Sequence, residues 1–236
     1  MNPLLAQAVD AHGGLARWNA LRRVHACLQI GGGLWTFKGH PDLFADTAFT
    51  AALHDQDDIV FERLGARALR SVFRPGAVRI ETPGGATLEG RDAPRDSFAE
   101  GGWDLIQAAY FSSYAMWNYL TQPFLYTLPG FEVEELAPWE EDGETWRRLR
   151  IRYPQQVAGH SREQVSYFGA DGLLRRHDYE VDVLGGATGA NYAGEYRDVG
   201  GIMVPLRRRV FGRREDGRRI DEPLLVSIDI ADIAFD

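Results

Sequence analysis

The chain has a single cysteine, Cys27, which excludes an intramolecular disulfide and any zinc site built on several thiolates. Its histidines form no HExxH pattern and no i, i+4 pair, so no metal site is expected. Positive charge is short as well. The 26 Lys and Arg against 34 Asp and Glu leave a formal net charge of -8, which repels nucleic acid and anionic membrane at long range. No serine sits in a Gly-x-Ser-x-Gly elbow, and the glycine clusters Gly31 to Gly33 and Gly84-Gly85 lack the spacing of a phosphate loop, so no cofactor is expected. No linker rich in proline, serine or charge divides residues 1–236, which predicts a single domain. The opening MNPLLAQAVDAHGG has no basic segment leading into a long apolar one, so the protein is expected in the cytoplasm.

What the chain does have is a long stretch without charge. Leu105 to Phe131 holds no Asp, Glu, Lys, Arg or His, in a protein that is 25% charged. It is densely aromatic, yet Gln107, Ser112, Ser113, Asn118 and Gln122 interrupt it with polar groups, and Pro123 lies inside it. Those features argue against a membrane span. They suit the wall or lid of an apolar cavity with a few orienting groups. Trp103, Ile106, Tyr110, Tyr114 and Trp117 recur on one helical face, and the helix should end before Pro123. Trp103, Tyr110, Tyr114 and Trp117 are therefore candidate ligand contacts.

On either side of this helix the sequence reads as short strands separated by turn residues, from Val24 to Glu89 and again from Thr145 to Ile233. Leu34 to Lys38 is included among the strands, while Glu132 to Glu144 reads as a solvated acidic loop. The expected architecture is α+β: a half-open, strongly curved antiparallel barrel wrapped around the aromatic helix, with an N-terminal helix from Pro3.

The hairpin around Gly169-Ala170-Asp171-Gly172 can be given a register. A three-residue loop with Gly172 left-handed places Gly169 opposite Leu173. Carried along both strands, this register puts Glu163, His177 and Tyr179 together on the concave face, with His160 on the other. A one-residue shift would oppose Glu163 to Glu180 or Asp178. Glu163 beside His177 is either an acid/base pair or a satisfied buried hydrogen bond with Tyr179 as its third member. Arg208 shares a strand face with Ile202, Val204, Leu206 and Val210, so its guanidinium needs either a ligand anion or an acid such as Glu163.

The order of elements resembles that of the LolA/LppX-type bacterial lipoprotein carriers. The resemblance rests on an N-terminal helix leading through AHGGLARWNALRRV into the first strand, and on the helical plug Trp103 to Leu120 between two groups of strands. It implies an incomplete antiparallel barrel, closed on one side by helices, that holds acyl chains. Such carriers are exported, whereas this sequence shows neither a signal peptide nor a lipobox cysteine. The leading expectation is non-covalent binding of a hydrophobic small molecule or lipid. The alternative is a cofactor-independent isomerase, cyclase or dehydratase using His177, Glu163 and Tyr179. A third class, an interaction protein, would use the acidic 132–144 segment or the aromatic run. The oligomeric state is not encoded in any of these features.

Overall fold

In the computed structural model, which describes residues 1–236, Asn2 opens the first helix by accepting from the backbone N–H groups of Leu4 and Leu5. That helix, α1 (Pro3–Ala11), is followed by α2 (Gly14–Ala20), β1 (Arg23–Gly31), α3 (Gly33–Phe37) and a meander of β2 (Thr47–Ala52), β3 (Ile59–Leu64), β4 (Leu69–Arg74), β5 (Ala77–Glu81) and β6 (Thr87–Asp92). The central helix α4 (Leu105–Thr121) comes next. A second meander contains β7 (Glu132–Glu141), β8 (Glu144–Arg152), β9 (Glu163–Phe168), β10 (Leu174–Val181), β11 (Ala187–Val199) and β12 (Ile202–Arg213), and β13 (Arg219–Ile220) and β14 (Val226–Phe235) close the chain.

The two meanders form one antiparallel, curved and unclosed sheet, ordered β6-β5-β4-β3-β2-β1-β14-β12-β11-β10-β9-β8-β7, with β13 paired to β12 alone. The last strand is the seam. β14 pairs with β1 on one side and with β12 on the other, so the two halves become one sheet only when the C-terminus is in place.

Helix α4 begins in a capping box: Asp104 Oδ1 accepts from the Gln107 N–H at 2.8 Å, and Gln107 Oε1 accepts from the Asp104 N–H at 2.8 Å. Every residue from Ile106 to Thr121 is buried. This is why the segment carries no charge: a Lys or Glu on any side of it would have to be desolvated. Trp117 donates its indole N–H to the Ala52 carbonyl at 2.8 Å, tying the helix to the first meander.

Two segments differ from the sequence reading. Leu34 to Phe37 is helical, with Lys38 as its C-cap, because Gly32 (φ +107°) packs against the Leu225 carbonyl so closely that a Cβ there would lie 2.5 Å from it. The chain turns sharply there and buries Trp35, leaving Phe37 75% exposed. The acidic segment is not a loop but the edge strand β7. Its glutamates face arginines of β8, with Glu132 on Arg152 (3.3 Å), Glu134 on Arg150 (3.0 Å) and Glu135 on Arg147 (2.8 Å). Charge on an edge strand also discourages pairing with another chain.

Candidate functional site

The 170–172 turn forms as expected: the Gly169 N–H donates to the Leu173 carbonyl at 3.0 Å, and Gly172 has φ +79°. Beyond it a bulge at Arg175 adds one residue to β10, so Leu174 faces Phe168 but Arg176 faces Tyr167, His177 faces Ser166 and Asp178 faces Val165. An extra residue reverses which side chains of the two strands share a face. His177 and Tyr179 do lie on the concave side, but His177 meets Gln164 and Ser166, and Tyr179 meets Tyr119 Oη at 2.7 Å. Glu163 is on the convex side, exposed, with its carboxylate 3.4 Å from Arg150 and 3.9 Å from Arg152. The expected Glu163–His177 pair does not exist. The strands also part after Asp178, so Glu163 and Glu180 are never opposed; they line a polar slot of about 350 Å³ instead.

The concave face under α4 holds a buried polar network. His177 is enclosed, with Nε2 at 2.6 Å from Gln164 Oε1 and Nδ1 at 2.9 Å from Ser166 Oγ. Because the Gln164 amide N–H is committed to the Ser161 carbonyl (2.9 Å), its Oε1 accepts the imidazole proton from Nε2. Ser166 then donates to Nδ1 and accepts from Tyr126 Oη at 2.8 Å. His160, expected on the outer face, is inside: Nδ1 is 3.2 Å from Tyr114 Oη, Nε2 is 2.9 Å from Tyr119 Oη, and the ring stacks on Tyr179 at 4.0 Å. The Asp182 N–H bonds the His160 carbonyl at 3.0 Å after the strands have parted, which fixes this inward turn.

Burial keeps these groups uncharged. It lowers the His160 pKa to about 3 and takes His177 well below its ordinary value, with Arg208 adding to the effect on His177. Tyr119 and Tyr126 are pushed up to about 12, also by burial. Tyr114 and Tyr179 rise well above the usual phenol range for the same reason. An imidazole with both nitrogens bonded and no carboxylate to stabilise its cation is poorly set to take a proton from a substrate.

Arg208 does face inward, as its strand pattern predicts, but it meets no acid. Its Nη2 donates to the Tyr119 carbonyl at 2.8 Å and to Gln122 Oε1 at 3.2 Å, and the guanidinium lies 4.9 Å from the centre of the Tyr119 ring. The expected pairing with Glu163 fails for the same reason as the histidine pair: Glu163 points out.

Of the other candidate contacts, Tyr114 and Trp117 are sealed in the core, with 0% and 1% of their surface exposed. Trp103 packs among Trp35, Phe98 and Phe111, and Tyr110 lines a polar cleft with Arg95 and Arg162. Two spaces carry apolar lining. A small inner cavity of about 30 Å³ lies between Trp35, Phe111, Met116, Tyr119, Tyr179 and Ile228. A groove of about 910 Å³ is walled by Leu34, Phe37, Phe98, Val183, Leu184 and Leu225 together with the charged Lys38, Arg95, Asp96, Glu100 and Asp182. Trp35 and Val226 wall the inner cavity while their neighbours Leu34 and Leu225 wall the groove, so the two spaces sit back to back. The sequence reading found neither Phe37 nor Trp35. Their only signal was the pentapeptide Leu34-Trp35-Thr36-Phe37-Lys38 between glycines, which reads equally as a strand. No three His, Cys, Asp or Glu side chains stand together as metal ligands. No helix is long and apolar enough to cross a membrane.

No family model and no curated protein matches the chain. Its fold, however, is similar to solved structures. A LolA superfamily protein from Nitrosomonas europaea matches with TM-score 0.57 at 8% identity, over 98% of this chain and 92% of that one. A DUF1329 family protein from Desulfovibrio piger matches with TM-score 0.53 at 12% identity, over 99% and 92%. A domain from Vibrio parahaemolyticus whose name suggests outer membrane lipoprotein sorting matches with TM-score 0.55 at 8% identity, over 98% and 90%. The chain therefore has the LolA-like fold that its N-terminal helix and helical plug implied.

Proposed function

We propose that this LolA-like chain binds a hydrophobic small molecule or lipid non-covalently, at the groove and the inner cavity behind it. The observation that carries the reading is the groove itself. At about 910 Å³ it is of ligand size, its walls are largely apolar, and Phe37 stands exposed on its edge with no packing role to explain it. The groove's charged lining is mixed: Lys38, itself buried, donates to the Gly101 carbonyl at 2.8 Å, Arg95 pairs with Asp182 at 2.7 Å, and Asp96 and Glu100 add negative charge. The lipoprotein-sorting name of one structural neighbour favours the same class of ligand.

The interior is filled by α4, so a ligand lies first in the groove and reaches inward only as far as side chains around Trp35 and Met116 yield. Met116 is unbranched and repacks at little cost. We further place the binding event in the cytoplasm, since a lone, half-buried Cys27 suits a reducing compartment; cell fractionation of a tagged chain tests that point. Native mass spectrometry after mild extraction tests the function. A co-purified apolar adduct that is lost on delipidation is expected. A protein with no adduct that also takes up no lipid afterwards would overturn the reading.

A further inference from the structure

The polar cleft beside Tyr110 differs in charge from the groove and from the slot at Glu163. It measures about 160 Å³ and is lined by Arg95 and Arg162 with Tyr110, Gln155, Gln156 and Ser161, and no acidic side chain lines it. Acids line both of the other spaces. In a chain of net charge -8, two arginines facing one space without a carboxylate call for an explanation.

A guanidinium carries five N–H donors. Arg162 donates to carbonyls of its own loop, with Nη1 on Pro154 at 2.7 Å and Val157 at 3.3 Å and Nη2 on Gln155 at 3.2 Å, which fixes the group and leaves Nε and one N–H of Nη2 unclaimed. Arg95 donates from Nη1 to the Gly159 carbonyl at 3.0 Å and from Nη2 to Asp182 at 2.7 Å, so it too keeps donors free. Asp182 lies on the groove side of this pair and offsets one of the two positive charges. The surrounding loop is held in place. Gln56 accepts from the Ala158 N–H at 2.7 Å and donates to the Ala158 carbonyl at 2.9 Å, and Asn118 donates to that same carbonyl at 3.1 Å. The donors are therefore positioned before any ligand arrives, which lowers the cost of ordering them.

The cleft adjoins the groove. Arg95 walls both, and Phe98 in the groove wall sets its ring 6.0 Å from that of Tyr110 in the cleft wall. A phosphate offers enough oxygens to meet donors from both arginines at once, whereas a carboxylate is matched by a single guanidinium fork. We infer that Arg95 and Arg162 hold the phosphate of a phosphate-ester amphiphile whose hydrocarbon lies in the groove. This deepens the hydrophobic-ligand reading and rests on it.

The test uses 1-oleoyl lysophosphatidate and 1-monooleoylglycerol, which share glycerol and acyl chain and differ in the phosphate alone. Their affinities are measured below the micelle-forming concentration on the wild type, Gln155→Glu and Arg162→Gln, with inorganic phosphate as a third probe. The wild type is expected to prefer the lysophosphatidate by about tenfold or more, the order of a charge-assisted hydrogen bond. Gln155 is exposed and only its backbone carbonyl is bonded, so Gln155→Glu brings a negative charge into the cleft without removing a contact of the fold. In both variants the preference falls to near one. Equal binding of the two lipids by the wild type, or an undiminished preference in Gln155→Glu, overturns the phosphate site while leaving hydrophobic binding intact. If neither lipid binds but inorganic phosphate raises the thermal midpoint of the wild type and not that of Gln155→Glu, the phosphate site stands with free phosphate as its occupant, and the hydrophobic reading falls. If none of the three probes has an effect, both readings fall.

Discussion

Arg175 decides what meets His177. One extra residue in β10 exchanges Glu163 for Gln164 and Ser166 as its partners, and a charged acid/base pair becomes a neutral hydrogen-bonded chain. The sequence shows the turn that starts this hairpin but not the bulge, because a bulge is fixed by what both faces must bury further along, not by the loop residues. The repulsion between Glu163 and Glu180 that argues for an unbulged register is relieved in another way, by the strands separating. The neutral histidines have a measurable consequence. His12, His160 and His177 are buried, and burial lowers the first two from 6.5 to about 4 and about 3. Above pH 6.5 both folded and unfolded chains hold them neutral and they add no pH dependence. Below it the unfolded chain takes up protons that the folded chain refuses, so stability falls as the pH is lowered from 6.5 toward 4, by about 1.4 kcal/mol per pH unit for each histidine. Urea unfolding of wild type and His160→Gln between pH 7.5 and 5 checks this. The variant should lose close to one proton from the slope, and an unchanged slope would mean that His160 is protonated in the folded state.

Among the elements, α4 was the most legible, since the lack of charge, the helical spacing of its aromatics and Pro123 beyond its end all reflect one fact, burial on every side. Its start was read at Trp103, two residues early; the capping box of Asp104 and Gln107 begins the helix at Leu105. Asp104 also pairs with Arg91 of β6 at 2.7 Å, joining the sheet edge to the helix start. Asp104→Ala should destabilise the fold by about 1 kcal/mol, the usual cost of a lost N-cap, read as a shift in the urea midpoint at constant slope. Edge strand β7 was hidden because its glutamates read as solvated. Their partners Arg147, Arg150 and Arg152 lie on the next strand, and only the pairing of the two runs shows that the charge belongs to a ladder. Helix α3 was illegible for a different reason: five residues between glycines have no period to read, and contact of Gly32 with the Leu225 backbone decides their shape.

For the whole molecule, the order of helices and strand groups was enough to read a curved, half-open antiparallel sheet around a central helix. The filling of that sheet was not readable, since whether an aromatic helix lines a cavity or plugs it depends on packing between distant residues. The seam made by β14 predicts that the two meanders unfold together. Limited proteolysis should give no stable half-chain fragment, and fluorescence and far-UV circular dichroism should report one coincident transition. A protected fragment ending near residue 100 would show two units instead. The central claim, that this fold takes up an apolar ligand in its groove, is tested most directly by displacing an environment-sensitive apolar dye from the purified chain with lipid, in the wild type and in Leu184→Asp. The groove accounts for binding if the dye brightens on the wild type, lipid reverses the signal stoichiometrically, and the aspartate in the groove wall weakens both by about tenfold, the order expected for a charge placed on an apolar contact. Equal dye and lipid binding by the two proteins, or no lipid-reversible signal on either, would contradict it.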